Sequence, residues 1–192
     1  MMKTMRLFVP LGVSALLLAA GESIPSQPRA LTVDPAQTKV EFTLGSLLHT
    51  VHGDFHLKRG TLSFDPKSGK ASGELVVDAT SGESGNASRD KKMHAAILES
   101  AKYPEIVFRP DRVDGNIAPV GKSVAQLHGL FAIHGVEHEI LMPITVDAAA
   151  GQYTVAGILE VPYVEWGMRN PSTLFLRVSD KVEITIHTVV TK

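Results

Sequence analysis

The chain has 192 residues, no cysteine, 44% hydrophobic residues and a formal net charge of -1 at pH 7. These values exclude disulfides, thiolate catalysis, cysteine-ligated metal sites and the basic footprint of a nucleic-acid binder. Past its N-terminal segment the chain is still long enough to bury one core without covalent staples.

Lys3 and Arg6 precede the apolar run from Leu7 to Ala20, and the small residues Ala19-Ala20-Gly21 follow. That charged, apolar, small-residue order is the order of a secretory signal peptide. The run is interrupted by Pro10 and Gly12 and is shorter than the ~20 apolar residues that span a bilayer, so no permanent membrane span is expected after processing. A lipoprotein anchor would need a cysteine at the processing site. Residues 1-21 are therefore read as a signal, 22-30 as an exposed spacer carrying Pro25 and Pro28, and 31-190 as the folded domain of a periplasmic or secreted protein.

From Leu31 onward, two-residue alternation recurs between turn signals. Val40, Phe42 and Leu44 share one strand face. Val51, Gly53, Phe55 and Leu57 share the next, Lys58-Arg59-Gly60 bends the chain, and Leu62 and Phe64 lead to the turn Asp65-Pro66-Lys67-Ser68-Gly69. Leu75, Val77 and Ala79 follow. Further strands are expected over Ile106 to Phe108, Val124 to His134, His138 to Asp147, Tyr153 to Val164 and Thr173 to Val190. So many half-buried strands at short spacing point to an antiparallel sandwich or barrel. Phe42, Phe55, Phe64, Phe108, Phe131 and Tyr153 face inward, as does Ile133, interleaved with Gly53, Gly129 and Gly157, which would leave space along an axis. On alternation alone an ordinary solid core is the better reading.

Between the strands lies one convincing helix, in Ser84 to Pro110. Asn86 or Ser88 is placed to cap it, Asp90 falls in the first turn where the helix dipole favours an anion, and Met93, Ile97 and Leu98 form an apolar stripe. Tyr103-Pro104 ends it, because proline lacks an amide hydrogen and disfavours helical geometry at the preceding residue.

His134-Gly135-Val136-Glu137-His138 matches the H-x-x-E-H string of inverted zinc peptidases. Metal chemistry there needs a helix, which brings residues four apart onto one face, whereas this string joins two alternating strands and reads as a hairpin around Gly135. A weak metal site formed by His134 and His138 across that hairpin is the alternative. His52 and His56 sit about 13 Å apart on a strand, too far to share an ion. His49, His94, His128 and His187 have no evident second ligand, and most of them are read as surface or rim residues. No G-x-S-x-G elbow, P-loop or dinucleotide fingerprint is present, so no catalytic residues, metal ligands or cofactors are assigned.

The helix start Asn86-x-x-Arg89-Asp90-x-x-Met93, the turn from Leu98 to Tyr103-Pro104 and the strand ending in Phe108 resemble the signature of the YceI-like polyisoprenoid-binding proteins. The resemblance runs from about Leu31 to Val190. It implies an all-β, lipocalin-like, extended antiparallel eight-stranded barrel with one short helix, about residues 86-100, near the barrel mouth. It also implies a binding protein rather than an enzyme, holding a polyprenyl, quinone-type or similar amphiphilic lipid along its axis. Phe42, Phe55, Phe64, Met93, Leu98, Phe108, Phe131, Ile133, Tyr153 and Trp166 would then contact the ligand, with the helix as a lid. In one place the chain departs from the pattern. Many members carry an R-x-D/E-aromatic-G turn where this chain has Tyr163-Val164-Glu165-Trp166-Gly167, leaving Arg169 as a substitute for the missing arginine. A metal-dependent enzyme using the histidine hairpin and a solid-core envelope interaction module remain alternatives, and homodimer formation is left open.

If Leu7 to Ala20 is a cleaved signal, intact mass of protein from its native compartment will place the mature N-terminus between Gly21 and Leu31. A membrane-bound product retaining Met1 would make the segment an anchor instead.

Overall fold

Eight staves close the barrel, although ten strands are counted among the described residues. The computed structural model describes residues 29-149 and 151-191, so the expected signal and most of the expected spacer lie outside the described residues. β1 (Arg29–Val33) and β2 (Lys39–Gly45) form one stave, interrupted by a single 3-10 turn at Pro35–Gln37. β3 (Thr50–Phe55) and β4 (Leu57–Phe64) form the second, interrupted at His56. β5 (Ala71–Asp78), β6 (Glu105–Asp114), β7 (Gly121–Ile133), β8 (Val136–Ala149), β9 (Gln152–Val161) and β10 (Val182–Thr191) supply the other six. All pairings are antiparallel. β10 returns to the first stave twice, pairing Val190 with Val33 and Ile186 with Val40, which closes the meander. Among the described residues no helix is long and apolar enough to cross a membrane.

The breaks in the staves follow from local chemistry. Asp34 accepts the Ala36 amide at 2.9 Å, and Pro35 occupies the first position of the short turn, where its missing amide is harmless. In β4 the register shifts between Leu57 and Arg59, so one extra residue is absorbed as a bulge. The inward set therefore changes from Leu57 to Gly60, Leu62 and Phe64. A second shift follows Pro110 in β6 and lets that strand continue past a proline to Asp114.

Two expectations need correction. The C-terminal strand begins at Val182, not Thr173; residues 162-181 form a long excursion over one end of the barrel, held by bonds such as Met168 N to Tyr163 O at 3.0 Å. The inward glycines also leave no open space. A Cβ on Gly53 would run into the Glu83 carbonyl oxygen and stand 2.5 Å from the Phe42 ring, and one on Gly129 would run into the Arg109 carbonyl oxygen and stand 2.8 Å from the Phe108 ring, so neighbouring backbone and an aromatic ring both close over these positions. Gly157 likewise receives Met142.

Outside, charges form a chain across β4, β5, β6 and β8. Glu105 accepts from Lys58 at 2.9 Å and Arg59 at 3.0 Å, Arg59 also reaches Glu74 at 3.3 Å, and Arg109 joins Glu74 at 3.2 Å to Glu137 at 3.0 Å. The hydrogen bond from Arg59, followed by that from Lys58, holds the Glu105 carboxyl down at about 2. A carboxyl depressed in the folded state contributes stability that is complete above its ordinary value of 4.5 and disappears as pH falls through about 2. Thermal unfolding scanned downward from about pH 5 will show falling stability across that window, and Glu105→Gln will remove part of the slope. An unchanged slope in that variant would show that the network is screened away.

Candidate functional site

The helical segment fits where two staves part. β3 is not laddered to β5; instead Asp54 and Glu83 exchange backbone bonds of 2.9 and 3.0 Å, docking the connection between β5 and β6 onto the β3 edge. Within that connection, Asn86 Oδ1 accepts the Arg89 amide at 3.0 Å and caps α1 (Ala87–Lys92). Asp90 accepts both the amide and the hydroxyl of Ser84, while Arg89 donates Nε to Ser84 Oγ and Nη2 to Ser84 O, each at 2.7 Å. The Arg89-Asp90 pair therefore grips the chain entering the helix, a structural role. α1 continues as a π-helical turn, Met93–Ile97, closed by Leu98 N to Met93 O at 2.9 Å. His94 is not a surface residue. Its Nε2 lies 2.9 Å from the Gly82 carbonyl, which can only accept, so Nε2 carries the proton and Nδ1 accepts from the Ser100 hydroxyl at 3.0 Å.

Beneath this segment lies a cavity of about 560 Å³, within the ~300–1,000 Å³ range of small-molecule sites. Of the expected contacts, Phe42, Phe55, Met93, Leu98, Phe131 and Ile133 line it. Phe64, Phe108 and Tyr153 instead line a smaller cavity of about 110 Å³. Trp166 lines neither; it stacks on His138 at 3.9 Å and 6°, with Phe131 at 6.0 Å. Along β9, Leu159 separates Val161 of the large cavity from Val155 of the small one; along β10, Ile186 separates Ile184 from Val190. The barrel interior is thus divided by a layer of packed side chains.

Sequence reading missed the part of the wall supplied by the excursion 162-181. Tyr163, Met168, Leu176 and Val178 all line the large cavity. Their only signal was an irregular apolar spacing, which no strand or helix period organises. Tyr163 stands where the family pattern has arginine. Its ring is 4% exposed, its hydroxyl donates to Ser179 O at 2.6 Å, and burial, then the nearby Asp180, pushes its pKa up to about 12. Arg169 is exposed and outside the cavity, so it does not replace that arginine.

Polar side chains gather at the mouth. Ser84, Asn86, Ser88, Arg89 and Lys92 come from the helical segment, with Ser46 and His49 opposite. Lys92 Nζ donates to Pro171 O at 3.1 Å, joining the helix to the excursion.

The histidine string is a hairpin. Ile133 pairs with Val136, and His134 and Gly135 both have positive φ, 53° and 79°, as a two-residue turn of the primed type requires. The alternative metal pair does not form: His134 turns toward Glu99 at 3.6 Å and Tyr103 at 4.8 Å, whereas His138 faces inward against Trp166. Burial lowers the pKa of His138, whose Nε2 is buried without a hydrogen-bond partner. Glu137 pairs outside with Arg109. Among the described residues no three metal-ligating side chains gather.

An eight-stranded barrel with a helical insert over an apolar cavity agrees with the motifs of residues 86-108, and the YceI-like domain model matches residues 31-190. The chain belongs to the YceI-like domain family. Burkholderia cenocepacia BcnA superposes with a TM-score of 0.68 at 19% identity, covering 82% of this chain and 98% of that one. A polyisoprenoid binding domain from Saccharophagus degradans, implicated in plant cell wall breakdown, gives 0.62 at 15%, covering 84% and 97%. The Campylobacter jejuni YceI protein gives 0.61 at 18%, covering 76% and 86%. No curated protein sequence matches. At these identities the superpositions establish the shared fold.

Leu159→Ala will thin the layer between the two cavities. Chemical denaturation is expected to register a loss of about 2–5 kcal/mol, and ligand competition should shift preference toward longer apolar chains. Unaltered chain-length preference would show that the cavities stay separate.

Proposed function

We propose that this YceI-like domain is an exported carrier or store for a long-chain isoprenoid, polyprenyl or quinone-type, or a similar amphiphilic lipid. The observation that supports this most directly is the division of the large cavity into an apolar interior and a polar mouth. Burial stabilises by roughly 0.8 kcal/mol per methylene, so an unbranched or prenyl tail binds tightly there without directed contacts. Length and shape set the selectivity. The head group stays at the mouth, where the hydroxyls, Asn86 and Lys92 are within reach of water. A solid-core interaction module does not accommodate a cavity of this size. The reaction class is binding without turnover, in a periplasmic or extracellular setting that follows from the signal-like N-terminus.

Protein purified from its native compartment without detergent will release a long apolar lipid on organic extraction, with a matching mass difference in native mass spectrometry. Phe131→Asp places a carboxylate on the cavity wall without a compensating partner and will lower both thermal stability and isoprenoid uptake. Glu137→Gln, on the outer face where the side chain meets Arg109, will leave uptake unchanged. Protein that carries no lipid and takes up none in titration would refute the carrier reading.

A further inference from the structure

Two loops at the cavity mouth carry apolar tips into solvent. Leu47 and Leu48 are 72% and 75% exposed, and Leu174 and Phe175 are 89% and 87% exposed, whereas the hydrophobic side chains of the core are at 9% or below. The loops are tied together: Leu47 N donates to Arg177 O at 2.9 Å, Ser179 N donates to Gly45 O at 2.9 Å, and Ser46 bridges to Val178. Within the same loops Ser46, His49, Leu176 and Val178 line the cavity. The tips therefore project from the rim of the mouth itself. Elsewhere exposed Val124 stands opposite Thr145 and Ile158 opposite Thr185. Scattered single residues need no explanation, but four on two coupled loops do.

Charge identifies what covers them. The segments that frame the mouth, residues 44-50, 83-93 and the excursion 162-181, contain Arg89, Lys91, Lys92, Arg169, Arg177 and Lys181 against Glu83, Asp90, Glu165 and Asp180. Lys91, Lys92, Arg169 and Arg177 are exposed. The mouth is thus net basic, six cations against four carboxylates, in a chain whose net charge is -1. Apolar tips ringed by cations match an anionic bilayer, whose surface potential attracts Lys and Arg while its acyl region accepts Leu and Phe.

We infer that the mouth rim, with Leu47, Leu48, Leu174 and Phe175 at its tips, docks on anionic phospholipid membranes so that the cavity opens directly toward the bilayer. This rests on the carrier reading of the same cavity. It gives an apolar ligand a route that avoids bulk water.

Flotation with phosphatidylglycerol-containing vesicles tests it. Mature protein will float with these vesicles, at least tenfold less with pure phosphatidylcholine, and less as salt rises. The combined variant Leu47→Ser, Leu48→Ser, Leu174→Ser, Phe175→Ser will lose vesicle binding at least tenfold. Its melting temperature and its uptake of a long-chain isoprenoid alcohol delivered from cyclodextrin will match the parent, because none of the four lines the cavity. Wild-type uptake from cyclodextrin without vesicle binding would overturn docking and leave the carrier reading intact. Vesicle binding without any uptake would overturn the carrier reading and leave docking standing. A concentration-dependent dimer that the variant abolishes, in protein that ignores vesicles, would assign the patch to a second copy of the chain and overturn membrane docking.

Discussion

The exchange of two backbone bonds between Asp54 and Glu83 is the constraint on which the rest of the molecule depends. A β-ladder must satisfy every buried amide and carbonyl, so staves of a barrel cannot simply separate to make an opening. Here β3 is released from β5, and the released edge is met by the connection that carries the helix. The barrel therefore has a mouth without an exposed edge at that point. The helix over the mouth is held by short polar contacts, Ser84 between Arg89 and Asp90 and His94 between Gly82 and Ser100, rather than by a ladder.

The interior shows how the same inward alternation yields both a solid and a hollow region. Toward one end Phe108 and Met142 pack against glycine backbone, and Leu159 is buried in the same core, leaving little space. Toward the other, the wall is completed by side chains that do not come from strands, Tyr163, Met168, Leu176 and Val178 of the excursion 162-181 among them. Volume is preserved where the covering elements are irregular. The excursion presents no charged side chain to the lumen: Tyr163, Met168, Leu176 and Val178 face it, and the tyrosine hydroxyl is spent on Ser179 O.

Much of this was legible in residues. Period-two alternation located most strands, Asn86 and Pro104 bounded the helical segment, and Gly135 marked the hairpin that removes the helical geometry a zinc site would need. The rest was not, for physical reasons. The inward glycines were read as empty space because a sequence does not say which neighbouring ring lies over a missing side chain; Gly53 beneath Phe42 shows that one does. Alternation gives the face a residue occupies but not its height along the barrel axis, so Phe55 and Phe64, both read as inward, line different cavities. Residues 173-181 alternate like a strand, yet in a β-bridge only Val178 pairs, with Ser46, because β2 ends at Gly45 and β9 at Val161 and neither neighbour continues alongside them.

The contact between Lys92 Nζ and Pro171 O has a kinetic meaning. It is an exposed bond from a flexible side chain to one carbonyl, and such bonds break far more readily than ladder strands separate. On the carrier reading proposed above, the depth of apolar wall covered sets how tightly a guest is held, whereas its departure waits on the parting of Lys92 from Pro171, two residues of the cavity rim. Residence time then depends on positions 92 and 171 more than on the deep wall.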